Sequence, residues 1–502
     1  MATKADVVLI KANNQKKVYQ NLSKDFTGKE PPLWLALTAA FLREQGFKVV
    51  AIDAEAENLD ANETVERAVM HDPVLISVIV SGTNPSASTM NMPGASEVLK
   101  TLKEKSPDIP TAISGLHPSA LPGETTKNEK ADFIFQGEGF ATHVELLNAL
   151  KSGKTRADDF SMHGLWYKRE ENVISNPRAA NIDDLGALPM PAWDLLPMDK
   201  YRAHNWHAFD DVEKRQPYAV IYTSLGCPFR CSFCCINITF GGSGIRYRLP
   251  EKVVEEIDYL VKTYGVRHIK ILDEMFALKW SHVEALCDGI ISLGHDLNFW
   301  VYGRIDTVKP HMVTKMKQAG INWIAYGIEA GSKKVREGVS KGRFDEKQIK
   351  NIVKMTHDAG IHIVSNFIFG LPDDDIESMR ETLELAKEIN CEYANFYCAM
   401  AYPGSKLYHD AQSQGVPLPE LWSGYSQFGE DTLPLPTKHL TSGEVLKFRD
   451  TAFDEYYSGE EYLLMIEKKF GTKTVEHIKK MCSVKLRRKY YDADEEIHFH
   501  RS

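Results

Sequence analysis

Three of the eight cysteines in this chain of 502 residues lie within the eight-residue stretch CPFRCSFC. Cys227, Cys231 and Cys234 could hold a structural zinc ion, form disulfides or bind an iron–sulfur cluster. A structural zinc site needs four ligands, usually supplied as two cysteine pairs, and no second pair follows this loop. Disulfides would leave one of the three thiols unpaired. The spacing favours a cluster in which three thiolates hold three irons and the fourth iron stays open to a ligand.

The cysteine loop follows a strand-like run, YAVIYTSLG, that opens a regular alternation of strands and helices. Five more strand-like runs come after it: HIKILDE, LNFWVYGRID, NWIAYGIEAG, IHIVSNFIFGLP and YANFYCAMAYPG. Six strand–helix units predict a partial (βα)6 barrel, in which chemistry takes place at the carboxyl ends of the strands. The cysteines are expected at that end because they follow the first strand.

With the aromatic Phe233 before the third cysteine, residues 218–410 resemble the radical S-adenosylmethionine (SAM) superfamily. The resemblance implies that the three cysteines hold a [4Fe–4S] cluster and that SAM chelates its open iron. Reductive cleavage of SAM would give methionine and a 5′-deoxyadenosyl radical. The resemblance also implies contacts with SAM near the strand ends, and the candidates are Phe233, Asp273, Glu274, Arg304, Glu329, Lys341 and Gly370. Solvated carboxylates are the alternative for the two neighbouring acids, and an ordinary salt bridge is the alternative for the arginine.

The first 150 residues contain a second alternation of strands and helices, with strand-like runs from Val7–Ile10 through FKVVAIDAE, VLISVIV and TAISGLH to ADFIFQGEG. This pattern predicts a doubly wound parallel sheet, which binds ligands beyond the carboxyl ends of its strands. Glycines at such ends let the backbone approach a ligand closely. The candidate binding residues at these ends are Ser81, Gly82, Thr83, Asn84, Gly115, His117, Gly137, Glu138 and Gly139.

Residues 5–145 resemble the cobalamin-binding domain of cobalamin-dependent radical SAM enzymes, which implies that these strand ends bind cobalamin. Such domains often carry an Asp-x-His-x-x-Gly motif whose histidine is the lower ligand of cobalt. Here Asp53 is followed by Ala54 and Glu55, so that histidine is missing. We expect Thr83 or Asn84 to lie nearest the lower face of the corrin. The alternative is His117, which could bind cobalt or could only form hydrogen bonds.

The fold class predicted is α/β, in four parts. These are a Rossmann-like cobalamin-binding domain (1–150), a connector (151–215), the partial TIM-like barrel (216–420) and a helical C-terminal cap (421–502). The formal net charge of −9 argues against a general nucleic-acid-binding protein. No stretch approaches the about 18 apolar residues of a membrane span. Few cysteines and no secretory leader pattern predict a cytoplasmic location.

The leading hypothesis is a cobalamin-dependent radical SAM methyltransferase that uses methylcobalamin, SAM and a [4Fe–4S] cluster. It would methylate an unactivated carbon or a phosphorus of a small biosynthetic intermediate, with electrons from a flavodoxin or ferredoxin. Tyr302, Tyr326 and Tyr397 could supply a hydrogen atom or a proton, although core packing is the alternative for each. The other hypotheses are a radical oxidase, cyclase or rearrangement enzyme without methyl transfer, and a non-enzymatic cobalamin or iron–sulfur sensor or electron carrier.

Overall fold

A computed structural model describes residues 4–82 and 88–491, which form two large sheets flanked by helices, one two-stranded sheet and a helical C-terminal part. One large hydrophobic cluster extends from the first sheet through the second sheet to the C-terminal helices. No helix within the described residues is long and apolar enough to cross a membrane.

The N-terminal sheet has seven strands in the order β2-β1-β3-β4-β5-β6-β7, of which β1 to β5 are parallel. Its elements are β1 (Val7–Lys11), α1 (Gln15–Tyr19), α2 (Leu33–Glu44), β2 (Val49–Asp53), α3 (Ala54–Glu57), α4 (Ala61–Val69), β3 (Leu75–Val80), α5 (Met92–Lys105), β4 (Thr111–Gly115), α6 (Leu116–Ala120), α7 (Pro122–Asn128), β5 (Phe133–Phe135), α8 (Phe140–Lys151), β6 (Leu165–Arg169) and β7 (Asn172–Ser175). The strands β1 and β3 are buried along their whole length, as in a parallel sheet covered on both faces by helices. The five strands expected here are confirmed.

The strands β6 and β7 continue this sheet in antiparallel orientation, within the stretch that the sequence describes only as a connector. All four residues of β7 are exposed or partly exposed. A strand without a buried face has no alternation of apolar and polar residues, which explains why the pattern does not reveal it.

The second sheet has six parallel strands in the order β15-β14-β13-β12-β11-β8, and it confirms the partial barrel. The elements of this part of the chain are β8 (Tyr218–Ile221), β9 (Ser224–Leu225), β10 (Arg246–Tyr247), α9 (Pro250–Tyr264), β11 (His268–Ile271), α10 (Trp280–Leu293), β12 (Asn298–Arg304), α11 (Pro310–Gln318), β13 (Ile321–Glu329), α12 (Lys333–Gly338), α13 (Glu346–Asp358), β14 (His362–Phe369), α14 (Ile376–Ile389), β15 (Tyr393–Cys398) and α15 (Lys406–Ser413). The short strands β9 and β10 pair with each other in a separate antiparallel sheet. The first and last strands of the series lie at opposite edges, so the barrel is open.

The C-terminal part contains α16 (Ser442–Tyr457), α17 (Glu460–Phe470) and α18 (Thr472–Cys482), and it covers the outer edge of β15. Its side chains hydrogen-bond to the backbone of every second residue along that edge: Tyr457 to Ala394, Arg449 to Phe396 and Gln427 to Cys398. Tyr457 and Gln427 each both donate and accept, as a neighbouring strand would do.

A buried ion pair connects the N-terminal domain to the barrel. Glu30, just before α2, accepts hydrogen bonds from Lys270 Nζ of β11 at 3.1 and 3.2 Å. The same carboxylate accepts from the hydroxyl of Tyr218 at 3.1 Å and lies 3.3 Å from Nε2 of His204. Glu30 and Lys270 are both almost fully buried. The barrel and the N-terminal domain therefore share one polar network inside their interface.

Candidate active site

A cavity of about 850 Å³ lies inside the open barrel, and residues of all three parts of the chain line it. Cys227, Cys231 and Cys234 all face this cavity. Their loop begins at Gly226, whose φ is +91° and where an added Cβ would lie 2.6 Å from a backbone oxygen. The three thiols predicted to act together are thus brought to one space at the expected end of the barrel.

Three thiols that face one cavity are the kind of ligands that an iron–sulfur cluster takes. Burial is the main reason that the pKa is raised to about 11 for Cys227 and to about 12 for Cys234, so both are protonated at neutral pH without a metal. Cluster assembly at these positions would therefore release protons. No three His, Cys, Asp or Glu side chains among residues 4–82 and 88–491 are placed to hold a single metal ion. Cys235 is buried beside this loop but does not line the cavity.

Arg304, at the end of β12, supports the cysteine loop. Its Nη1 donates to Sγ of Cys231 at 3.6 Å, and its guanidinium lies 3.8 Å from the ring centre of Phe229. Two further nitrogens donate to the carboxylate of Asp306, each at 2.9 Å. The guanidinium also donates to the backbone oxygen of Lys341. Arg304 therefore ties the loop to the strand ends and places a cation beside one thiol.

Glu329 and Lys341 form a buried ion pair of 2.6 Å in the cavity wall. The backbone of Glu329 has φ of +69°, which is costly for a residue other than glycine and is kept only where the surroundings impose it. Gly327, two residues earlier on β13, gives this pair its space, since an added Cβ would lie 2.5 Å from both charged groups. These two candidates for SAM binding are thus held together at the end of one strand.

The two neighbouring acids after β11 have different surroundings. Asp273 is fully buried and accepts hydrogen bonds from the backbone N and hydroxyl of Thr223 and from the hydroxyl of Ser224, at 2.5 to 2.6 Å. It does not line the cavity and holds the segment just after β8, and its contact with SAM stays a prediction. Glu274 lines the cavity, and its Oε2 is buried without a hydrogen-bond partner among the described residues. Burial, with repulsion from Asp273, raises the pKa of Glu274 to about 8.

Of two other candidates for SAM binding, one lines the cavity and the other does not. Phe233 lines the cavity and packs against a small hydrophobic cluster that includes Val335 and Leu371. Gly370 does not line the cavity. Its φ is +79°, and an added Cβ would lie 2.4 Å from Val445 of α16. The glycine is needed there so that the C-terminal helix can pack against β14, and its contact with SAM stays a prediction.

Tyr302 and Tyr397 line the cavity, whereas Tyr326 does not. The hydroxyl of Tyr326 is hydrogen-bonded to that of Thr356 on α13 at 2.9 Å. Tyr326 is a core residue, which is the alternative given for it from the sequence. Burial raises the pKa of Tyr302 and Tyr397 far above the usual range, so both keep their phenolic protons.

A second cavity, of about 70 Å³, lies between the N-terminal strand ends and the barrel. Ser81, Gly82 and Gly115 line it. An added Cβ at Gly115 would lie 2.2 Å from the backbone oxygen of Val80, so only glycine fits between these strands. Small residues at the carboxyl ends of a parallel sheet let a ligand approach the backbone closely. The cavity is far smaller than the about 300 to 1,000 Å³ usual for small-molecule sites, so contact of these residues with cobalamin stays a prediction. Thr83 and Asn84, expected nearest its lower face, lie outside the described residues.

The remaining candidates for cobalamin binding line neither cavity. His117 is buried, with Nδ1 3.0 Å from the hydroxyl of Thr89 and its ring edge-on to Trp422 at 4.5 Å. Burial lowers the pKa of His117 to about 3, so it is neutral. The turn Gly137–Gly139 connects domains, because Glu138 forms a 2.6 Å ion pair with Arg246 of the barrel. Contact of these residues with cobalamin stays a prediction.

The sequence did not single out two polar residues inside the barrel. Asn366 of β14 and Asn395 of β15 are register partners, and both line the large cavity. The side-chain Nδ2 of Asn395 donates to Oδ1 of Asn366 at 2.9 Å. An amide side chain at an inward position of an otherwise apolar strand could have identified both residues, because such groups are buried only where they find a hydrogen-bond partner.

Comparison with known proteins agrees with both resemblances. Residues 221–386 match the model of the Radical SAM superfamily, and residues 22–147 match that of the B12 binding domain. An uncharacterised methyltransferase of Pyrococcus horikoshii is 30% identical over 435 residues, which are 86% of this chain and 89% of that protein. The chain belongs to the cobalamin-dependent radical SAM methyltransferase family.

Two other known proteins share less sequence with this chain. An anaerobic magnesium-protoporphyrin IX monomethyl ester cyclase of Rubrivivax gelatinosus is 27% identical over 397 residues, 78% of this chain and 68% of that protein. The radical SAM methyltransferase TsrM of Kitasatospora setae has a similar fold, with a TM-score of 0.64 at 18% identity over 82% of this chain and 75% of that one. The two sheets and the helical C-terminal part are thus a shared architecture.

Replacing Gly327 by alanine tests the SAM site of this methyltransferase. The new Cβ would lie 2.5 Å from Oε1 of Glu329 and from Nζ of Lys341, and it would push the pair apart. We expect the Kd for SAM, measured by calorimetry under nitrogen, to rise about tenfold or more. Gly123→Ala is the control, since its Cβ would meet only Trp166, at 3.5 Å. A twofold change or less in the Gly327 variant would show that the pair does not hold SAM.

Proposed function

We propose that this enzyme transfers a methyl group to a carbon or phosphorus atom of a small biosynthetic intermediate. One observation carries the proposal: the large cavity with the three cysteines and the small cavity at the N-terminal strand ends share two wall residues, Ile236 and Glu274. The candidate sites for SAM and for cobalamin therefore adjoin. Such contact is what transfer between two cofactors requires, because reacting groups must be held close together.

The cofactors supply the difficult chemistry: when bound, the cluster and SAM supply hydrogen-atom abstraction, and cobalamin supplies the methyl group. Cys227, Cys231 and Cys234 would hold the cluster, and Arg304 keeps the second of them in position. The Glu329–Lys341 pair would orient SAM with charges already fixed by the fold. Fixed charges in a dry cavity act without reorganisation, which makes them effective in catalysis.

Glu274 lies at the boundary of the two cavities and can hold a proton there. Because its pKa is raised to about 8, its carboxyl group is mostly protonated at neutral pH. Its Oε2, which has no partner among the described residues, is available to donate a hydrogen bond to a bound molecule. We propose this hydrogen-bonding role for Glu274, which the sequence gives only as a candidate for contact with SAM.

The large cavity also indicates the size of the substrate. Volumes of about 300 to 1,000 Å³ are usual for small-molecule sites, and the cavity of about 850 Å³ has to admit SAM as well. Aromatic side chains that exclude water form much of its wall, among them Trp206, Trp300, Tyr393, Tyr402 and Phe428. A small molecule is therefore proposed as the substrate, and a nucleic acid is not. A flavodoxin or ferredoxin as electron donor and a cytoplasmic location complete the proposal.

The test uses SAM that carries three deuterium atoms in its methyl group. The holoenzyme, with cobalamin and a chemical reductant under nitrogen, should move this label to cobalamin and form an equal amount of S-adenosylhomocysteine, without a substrate. Mass spectrometry measures both products. A cyclase or another radical enzyme without methyl transfer would form neither, and such a result with SAM cleavage intact would favour the cyclase-like function of the more distant relatives. A cluster without SAM cleavage would favour a sensor.

A further inference from the structure

The large cavity extends far below the cysteine loop. Arg304, whose guanidinium contacts Cys231, and Trp300 both lie on β12, and both line the cavity. They are four residues apart, which is about 13 Å along a strand. Trp206 of the connector lies at this inner end, with its ring centre 4.9 Å from that of Trp300. The cavity therefore continues from the candidate cluster site toward the amino ends of the strands.

Small residues on β13 keep this inner space open. The interior of a closed (βα)8 barrel is filled mainly by bulky side chains, but here Ala325 and Gly327 line the cavity. Gly327 makes room for the Glu329–Lys341 pair. Ala325 lies two residues deeper, as the register partner of Tyr302 on β12. The barrel therefore has room for a ligand below the candidate SAM pair.

The wall of this inner cavity is mostly aromatic, and it is formed by Trp206, Trp300, Tyr302, Ala325, Val364 and Tyr393. Lys270 also lines it, but Glu30 balances its charge through hydrogen bonds at 3.1 and 3.2 Å. A charged ligand would be buried here without an opposite charge, which costs far more free energy than burying a neutral group. Aromatic rings pack well against other rings. An uncharged aromatic group is therefore the chemistry that fits this space.

One amide in the cavity wall has an orientation fixed by the backbone. Nδ2 of Asn366 donates to the backbone oxygen of Tyr326 at 3.1 Å, and a carbonyl oxygen can only accept. Oδ1 of Asn366 therefore faces the other way and accepts from Nδ2 of Asn395 at 2.9 Å. This leaves Oδ1 of Asn395 as an acceptor, and no side chain or backbone group among residues 4–82 and 88–491 donates to it. Asn395 lines the cavity two residues from Tyr393.

We propose that the inner cavity binds an uncharged aromatic part of the substrate, and that Oδ1 of Asn395 accepts a hydrogen bond from an O–H or N–H group on it. The inference rests on the proposed function and names the substrate class of the same site. Asn395 is then a specificity-determining residue. Asn366 is a positioning residue that acts through Asn395, because it fixes which atom of that amide is the acceptor.

Shape and polarity have separate roles in this recognition. The aromatic wall supplies contact area, and a few fixed polar groups orient the ligand, as in most small-molecule sites. The single acceptor supplies selectivity, because a ligand without a donor would leave Oδ1 dry and unpaired. Arg304 and Lys341, two candidates for SAM binding, lie nearer the cysteines and are joined by a hydrogen bond. SAM and an aromatic ligand could therefore be bound together.

The experiment measures Kd values by equilibrium dialysis under nitrogen, with holoenzyme that is saturated with SAM and has no reductant. 2-Naphthol carries a hydroxyl donor, and 2-methylnaphthalene has nearly the same shape with a methyl group in its place. The ratio of their two Kd values is the preference for the donor. Decahydro-2-naphthol, which keeps the hydroxyl but is not flat, should bind the wild type at least about fivefold more weakly than 2-naphthol.

Asn395→Leu removes the acceptor and should lower the preference for 2-naphthol at least about tenfold, while the Kd for SAM stays within about twofold. The unchanged Kd for SAM also shows that the variant is folded. Asn366→Leu keeps the acceptor but releases its orientation, so the preference should fall only about threefold. The control is Asn322→Leu on β13, whose amide does not line the cavity and bonds to Lys317 and Asn298. It should keep the wild-type preference.

Three results would overturn the proposal: no binding of 2-naphthol by the wild type, an unchanged preference in Asn395→Leu, or an equal loss of preference in the control. Weaker binding of SAM by tenfold in Asn395→Leu would assign the acceptor to SAM, and equal binding of decahydro-2-naphthol would refute an aromatic ligand. Failure of labelled SAM to methylate cobalamin, with these preferences intact, would instead refute the proposed function alone.

Discussion

Replacing Cys227, Cys231 or Cys234 by alanine is expected to remove bound iron and to lower SAM cleavage by at least about 100-fold. The effect is large because each substitution removes a direct ligand of the cluster, which costs more activity than removing a residue that only supports a ligand. All three thiols face one cavity, so each variant leaves the cluster with two protein ligands. The expected losses are alike for the three variants. Iron per chain and the yield of 5′-deoxyadenosine, both measured after anaerobic reconstitution, are the readouts.

Cys235→Ala is the matched control for this series. Cys235 adjoins the third cysteine and is buried, but it does not line the cavity. It should keep iron and SAM cleavage close to the wild-type values, with a small loss of stability from the missing sulfur. Full iron content in any of the three cavity variants, or loss of iron in the control, would contradict the assignment of the cluster ligands.

Lys270→Met is expected to lower the free energy of unfolding by about 3–5 kcal/mol, because it leaves the buried carboxylate of Glu30 without its cation. The pair is almost fully buried, so solvent does not screen it. Denaturation by urea measures the effect. The double variant E30Q/K270M should lose less than the single variant, since it buries no unpaired charge. The control is Lys354→Met, whose partner Asp358 is exposed, and it should cost less than about 1 kcal/mol.

The same pair makes a pH-dependent contribution to stability. Burial alone would raise the pKa of Glu30, but Lys270 and His204 outweigh it and lower that pKa to about 2. A carboxyl group with a depressed pKa stabilises the fold above its unfolded value, about 4.5, and loses this contribution as the pH falls toward 2. The destabilisation by Lys270→Met should therefore be largest at neutral pH and shrink below about pH 4. Equal destabilisation at about pH 3 and at pH 7 would contradict the network.

Local patterns predicted much of the fold. Apolar runs such as Leu75–Val80 are buried on both faces, so their composition identifies them as strands. The cysteine loop could be found because its spacing is local and its position after β8 follows from chain order. The direction of a single side chain could not be predicted. Tyr302 and Tyr326 lie on the neighbouring strands β12 and β13, and only the register of these strands points Tyr302 into the cavity and Tyr326 into the core.

Contacts between distant parts of the chain explain the other differences. The sequence shows Asp273 and Glu274 as equivalent acids, but hydrogen bonds from Thr223 and Ser224, about 50 residues earlier, engage only the first. Lys270 reads as a polar interruption in a short strand, and its partner Glu30 lies 240 residues away. No local pattern encodes such pairs. They become visible only when the topology has brought the two segments together.

The covering of β15 has a consequence for shortened forms of the enzyme. Side chains beyond residue 420 satisfy the outward backbone groups of Ala394 and Cys398. A chain cut before Gln427 would present a free parallel edge with unpaired donors and acceptors, which is a template for another copy of the same strand. The C-terminal part therefore also prevents self-association through β15. A barrel expressed without it would be prone to aggregate.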